Sequence, residues 1–131
     1  MKDIAALLDE ESTTIAVVGA TDNPTKYGSV IYRDLKRKGF TVYPVNPKRK
    51  TVGGDNAYAN LAAIPQKPTI VNIVVPPEMT VQVLQQCLEM NLKNIWVQPG
   101  AESPEVLTFL QENQFNYLAN ACIMVQSRMK E

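Results

Sequence analysis

VVGATDNPTKYGSV, residues 17–30, is the stretch on which the fold turns. The β-branched run Thr14–Val18 leads into it and stops at Gly19. A polar loop follows, and then a segment with the apolar spacing of a helix. Strand, tight turn and helix in that order place unpaired backbone N–H groups where an anion can approach them. The usual three-glycine fingerprint is nevertheless incomplete. Thr21 and Pro24 stand where the second and third glycines belong.

Working outward, the same alternation of strand and helix runs along the chain. Ile4, Leu7 and Leu8 predict a short amphipathic helix over residues 2–10 that docks on the body. Thr14–Val18 reads as a strand buried on both faces. A helix should run from about Pro24–Tyr27 to Lys38, with Tyr27, Val30, Ile31 and Leu35 turned inward and Gly39 closing it. Thr41–Val45 is a second strand, stopped by Asn46 and Pro47. Beyond the basic run Lys48-Arg49-Lys50 lie Gly53-Gly54 and a weak helical turn near residues 57–62.

Thr69–Val75 is a third strand, ended by Pro76-Pro77, and residues 78–91 form a helix with Val81, Leu84, Cys87 and Leu88 on one face. Asn94–Val97 is a fourth strand. Ser103-Pro104 supplies an N-cap and a first helical proline for a helix that turns Val106, Leu107 and Leu110 inward. Asn116–Leu118 is the fifth strand, and residues 122–131 close the fold. The pattern predicts an α/β protein: residues 1–131 as one domain, with residues 1–12 docking on a doubly wound, parallel five-stranded sheet in three αβα layers. The default strand order is 3-2-1-4-5, and ligands of such sheets bind beyond the carboxyl ends of the strands.

Composition narrows the chemistry. The 131 residues carry thirteen basic and thirteen acidic side chains. No global field draws the chain to nucleic acid, so any anion site must be local. There is no histidine. That removes the commonest general base and metal ligand, and with them a Ser-His-Asp or Cys-His apparatus within this chain. Cys87 and Cys122 fit no metal-ligand spacing, and no catalytic set is complete. Two thiols without a secretory leader suggest a reducing, cytoplasmic setting. No apolar run is long enough to span a membrane. A homodimer is the base-rate expectation for assembly.

The candidate site is therefore sought at five strand ends. The first, Gly19 to Ser29, offers helix N-terminal amides, the hydroxyls of Thr21, Thr25 and Ser29, and the charge of Lys26. The same residues can equally serve as an unliganded, self-capped turn. At the second, a binder of NAD would place a carboxylate about 20 residues beyond the glycines. Lys48, Arg49 and Lys50 stand there instead. Cations suit a ribose phosphate, the 3′-phosphate of coenzyme A or the 2′-phosphate of NADP, or else a solvated basic turn. Val75 and Pro76 end the third strand with a rigid apolar surface on which adenine could lie. At the fourth, Gln98 can offer amide hydrogen bonds and Gly100 permits close approach, while Trp96 reads as core. Cys122, past the fifth, is either a small buried hydrophobe or a thiol facing the cleft, and Cys87 reads as core.

Together VVGATDNPTKYGSV (17–30), YPVNPK (43–48), VGG (52–54), TIVNIVVPPE (69–78), WVQPGAES (96–103) and ACIMV (121–125) resemble the stand-alone CoA-binding proteins. These form a small Rossmann-like family related to the N-terminal CoA-binding domain of the succinyl-CoA synthetase α subunit. The resemblance covers residues 13 to 127. It implies a coenzyme A site across the carboxyl edge of the sheet, and the leading reading is that coenzyme A or a short acyl-CoA binds there without catalysis. Gly19, Ala20, Thr21, Asn23, Lys26 and Ser29 would hold the diphosphate. Asn46, Pro47 and Lys48 would lie by the adenosine phosphate, Val75 and Pro76 by adenine, and Gln98 and Gly100 along the pantetheine arm, with Cys122 a further cofactor-binding candidate. Relatives commonly carry Asp-Arg before that cysteine; Asn120-Ala121 here removes a bidentate phosphate donor. The synthetase works through a phosphohistidine, and that chemistry does not carry over to a chain without histidine. Two other readings stand beside this one: an NADP- or NAD-responsive domain, and a Cys122 thiol that acts on coenzyme A.

Overall fold

The computed structural model describes residues 3–130. In chain order its elements are α1 (Ile4–Leu7), β1 (Thr14–Val18), α2 (Tyr27–Arg37), β2 (Thr41–Val45), a hairpin of β3 (Thr51–Val52) and β4 (Asp55–Asn56), and a 3₁₀ turn at Leu61–Ala63. β5 (Ile70–Ile73), α3 (Pro77–Glu89), β6 (Asn94–Val97), α4 (Pro104–Glu112), β7 (Asn116–Ala119) and α5 (Ile123–Gln126) follow. Five strands form one all-parallel sheet, and the hairpin stands apart from it. The hairpin was not foreseen, and β5 is shorter than the seven-residue apolar run that contains it.

The β-branched strands bury both faces because successive side chains alternate across the sheet. Ala16, Val18, Val71, Ile73, Ile95 and Val97 share one cluster with Leu84 and Cys87 of α3 and Val106 and Leu110 of α4. Ile15, Val17, Val42, Ile70 and Trp96 share the other with Ile31, Tyr32 and Leu35 of α2, and Ile123 of α5. Ile4, Leu7 and Leu8 belong to that second cluster, and α1 spans four residues; residue 2 of the helix predicted over 2–10 lies outside the described residues. Cys87 is fully buried in the first cluster, where burial pushes its thiol pKa up to about 12.

The strand order is β2-β1-β5-β6-β7, so the third long strand lies on the far side of β1 from β2 and not outside β2. The place outside β2 is already taken. Tyr58 makes a parallel bridge to Val45: its N–H donates to Pro44 O, and its carbonyl accepts from Asn46 N, both at 2.9 Å. One residue thus stands where a 3-2-1 half would put a full strand. The crevice where the order reverses falls between β1 and β5.

Two helices turn differently from their periodicity. On α2, Tyr27 is 69% exposed and Val30 37%, while Gly28, Ser29 and Tyr32 are buried with Ile31 and Leu35. The cause is Gly28. A Cβ built there would lie 2.0 Å from the carbonyl oxygen of Gly19, so the glycine face of the first turn is pressed onto the end of β1. That contact rotates Tyr27 out over the edge of the sheet. On α3, Leu84 and Cys87 face inward as read, whereas Leu88 is exposed.

Candidate functional site

The carboxyl ends of β1, β2, β5 and β6 open on a cleft of about 760 Å³. Gly19 begins it. Its φ of +105° is a left-handed value that favours glycine, and a Cβ there would meet Val74 O at 2.9 Å and the Val75 side chain at 3.0 Å. The first loop therefore lies flat against the end of β5. In the dinucleotide fingerprint a third glycine serves close helix–strand packing. Here Gly28 takes that part, inside the helix instead of ahead of it. A search for the fingerprint spacing misses it.

From the first loop, Gly19, Thr21, Asn23 and Lys26 line the cleft, and from the second Asn46, Pro47 and Lys48. Val75 and Pro76 supply the wall beyond β5, and Gly100 the wall beyond β6. Four candidates are not brought to this cleft. Ala20 is fully buried, and Ser29 is buried within the first turn of α2. Gln98 and Cys122 line a separate, smaller cavity of about 110 Å³.

The charged residues lining the cleft are Lys26, Lys48 and Arg49, all cations. A chain of zero net charge thus concentrates positive charge at one rim. Lys50 does not line the cleft. Arg49 has an acidic neighbour, Asp22, with Nη1 at 3.8 Å from Oδ2. The N-terminus of α2 opens here at Lys26 with no side chain capping it. By contrast α4, none of whose residues line the cleft, is capped by Ser103, whose Oγ accepts the Val106 N–H at 3.1 Å. Uncapped N-terminal amides and the helix dipole add to the positive potential at the rim.

Most polar side chains of the first loop act on the loop itself. Thr21 Oγ1 accepts the Asn23 N–H at 3.1 Å, and Asn23 Oδ1 accepts both Thr25 N–H at 3.1 Å and Thr25 Oγ1–H at 2.7 Å. Asn46 ties the two loops together: its Nδ2 donates to Ala20 O, and its Oδ1 accepts Lys48 N–H, both at 2.9 Å. The β3–β4 hairpin holds the basic segment in place from the other side. Asp22 Oδ1 accepts the Gly53 N–H at 2.8 Å, Tyr32 donates to Asp55 at 2.5 Å, and Lys36 pairs with Asp55 at 3.2 Å. The Tyr32 hydrogen bond, with Lys36 behind it, holds the Asp55 carboxyl below the usual range. Burial and then that same carboxylate hold the Tyr32 hydroxyl above its usual value.

Gln98 works inside the fold. It is buried at the end of β6, where its Oε1 accepts the Ile123 N–H at 2.8 Å and its Nε2 donates to Cys122 Sγ at 3.4 Å. With the Trp96 indole donating to Ala121 O at 2.9 Å, it fixes the start of α5 on the sheet. The sequence reading missed Tyr27, Asn60, Met79 and Gln86, which also line the cleft. Tyr27 was assigned to the core by periodicity. Asn60 and Gln86 come from the 3₁₀ turn and α3, and no local pattern marks them.

The family model described as a CoA binding domain matches residues 13–128. The chain is 38% identical over 82 residues to the α subunit of acetate–CoA ligase [ADP-forming] II from Pyrococcus furiosus. That alignment covers 62% of this chain and 18% of the subunit, so the chain spans less than a fifth of that relative's length. It is 28% identical over 116 residues to the Bacillus subtilis protein YneT, covering 88% of this chain and 86% of YneT. Among solved structures it is similar to a conserved hypothetical protein from Pyrococcus furiosus, with a TM-score of 0.84, 41% identity, and coverage of 88% of this chain and 99% of that one. The strand–glycine–helix opening, the five-stranded parallel sheet and the match across residues 13–128 place this chain in the CoA-binding domain family.

Proposed function

We propose that the chain binds coenzyme A, or a short acyl-CoA, in the cleft at the carboxyl edge and performs no chemistry of its own there. One observation carries the reading beyond family membership: the charged residues lining the cleft are three cations, grouped at an uncapped helix N-terminus in a molecule with no net charge. A ligand with several phosphates and an apolar arm matches that distribution. In this reading the α2 amides, Thr21 and Lys26 take the diphosphate. Lys48 and Arg49 take the ribose phosphate, Val75 and Pro76 pack on adenine, and Gly100 lets the pantetheine arm pass close to the backbone. The absence of histidine leaves no imidazole to move protons at the thioester. The Cys122 thiol already accepts a hydrogen bond from Gln98, outside the main cleft, so the thiol alternative gains no support.

A thermal-shift titration tests the reading. Coenzyme A at a hundredfold excess over its Kd stabilises by about 2.7 kcal/mol, which is about 10 °C for a domain of this size. Protection should fall in the order coenzyme A, dephospho-coenzyme A, NADP, NAD. If dephospho-coenzyme A protects as well as coenzyme A, the role given to Lys48 and Arg49 is wrong. If NADP protects equally, the site belongs to a dinucleotide.

A further inference from the structure

The smaller cavity adjoins the cleft. Tyr27, Val74 and Pro99 line both, so these three form the wall or threshold between them. Gln98 and Cys122 complete the small chamber. It differs from the cleft in charge: none of its lining residues is charged, against three cations in the cleft. It differs also in hydrogen bonding. Both ends of the Gln98 amide are engaged, by Ile123 N–H and by Cys122 Sγ, and Gln98 is only 3% exposed. What remains for a guest is the Tyr27 ring, Val74, Pro99, a thiol and at most one N–H of Gln98. A volume of about 110 Å³ is small. At about 30 Å³ per molecule of liquid water, it has room for about three or four non-hydrogen atoms.

We propose that this chamber receives the acyl group of a short, uncharged acyl thioester, of acetyl or propionyl size, and turns away acyl groups that carry a carboxylate. The inference rests on the coenzyme A reading above and deepens it. The polarity of the two cavities matches the polarity of such a ligand. Phosphates lie at the cationic rim, and the neutral acyl end lies at the uncharged, largely apolar end. A carboxylate placed in the chamber would lose its hydration with no cation among the lining residues to replace it. A longer alkyl chain would exceed the volume and have to displace Tyr27 or Pro99.

Calorimetric titration of the whole chain with coenzyme A, acetyl-, propionyl-, hexanoyl- and succinyl-CoA tests this. Acetyl- and propionyl-CoA should bind more tightly than coenzyme A, by about fourfold for each buried carbon. Hexanoyl- and succinyl-CoA should bind at least about tenfold more weakly than acetyl-CoA. A second measurement fills the chamber from the side away from the cleft. In Cys122→Met the ratio of acetyl-CoA to coenzyme A affinity should drop to about one. Equal binding of succinyl- and acetyl-CoA, or an unchanged ratio in Cys122→Met, overturns the assignment. Should coenzyme A bind and the acyl series be flat, the chamber proposal alone falls. Should none of the five bind, the coenzyme A reading fails and takes the chamber with it.

Discussion

At the ends of β1 and β2, polar side chains bond within or between neighbouring loops, as Thr21 does with Asn23 and Asn46 with Ala20. These bonds shape a rim and leave the cations Lys26 and Lys48 exposed along it. At the ends of β6 and β7 two polar side chains are buried and bond across the fold, Gln98 to Ile123 and Trp96 to Ala121. Polar side chains therefore do different work in the two halves. On the first side they are loop geometry beside a charged surface. On the second they join α5 to the sheet and surround a neutral chamber.

The largest effect should come from the point that fixes the first half. Gly28→Ala puts a methyl 2.0 Å from the Gly19 carbonyl, where backbone on both sides has to move. A loss of about 3 kcal/mol or more is expected in urea unfolding. A change under about 1 kcal/mol would show that α2 does not need this close packing.

Next comes the pair that tests the contrast directly. Gln98→Ala leaves the buried Ile123 N–H without its acceptor and should cost about 2–3 kcal/mol. Thr21→Val removes an acceptor from a half-exposed loop amide that water can reach, and should cost less than about 1 kcal/mol. Similar losses for the two variants would erase the distinction between the halves.

Tyr32→Phe should cost about 1 kcal/mol, because Asp55 is partly exposed and regains water. Its pH dependence has a defined sign. The Asp55 pKa is lowered in the folded chain, so its contribution is full above the ordinary carboxyl value and is lost as pH falls through the lower folded one. In Tyr32→Phe that value returns toward normal, so stability should fall less steeply with acid below about pH 4. At the alkaline end the Tyr32 pKa is raised, so the parent should lose stability above about pH 10, as the unfolded tyrosine ionises. The variant lacks this loss. Superimposable pH–stability curves would remove the hydrogen bond from the account.

The remaining effect is on ligand affinity, not on stability, and concerns the rim cations. Lys48→Ala combined with Arg49→Ala should weaken coenzyme A by about tenfold at low salt, and less at high salt, because both side chains face water. Dephospho-coenzyme A should change by about twofold or less. Equal losses for both ligands would place these cations elsewhere than at the ribose phosphate.

Much of the fold was legible in local chemistry. Runs such as TIAVV and TIVNIVV admit few readings other than strands covered on both faces, and Ser103-Pro104 starts α4 where its cap requires. The strand order was not legible, because nothing local in Tyr58 says that one residue will bridge β2 and occupy its outer edge. Ten of the fourteen candidate residues line the cleft, since they sit at strand ends, and strand ends of a parallel sheet converge. Ala20, Ser29, Gln98 and Cys122 do not, because a strand end has two sides and the spacing does not say which side a residue takes.

What the sequence by itself determined is the alternation of strands and helices, the absence of imidazole chemistry and the local surplus of cations after β2. Those are properties of residue type and period, which survive any packing. Tertiary structure decided how α2 is rotated, which polar side chains are consumed within the fold, and that the cationic cleft adjoins a neutral chamber. The reason is steric and electrostatic together. The missing Cβ of Gly28 matters because the Gly19 carbonyl lies 2.0 Å from its ideal position, and the Gln98 amide oxygen is not available to a ligand because the buried Ile123 N–H has already claimed it.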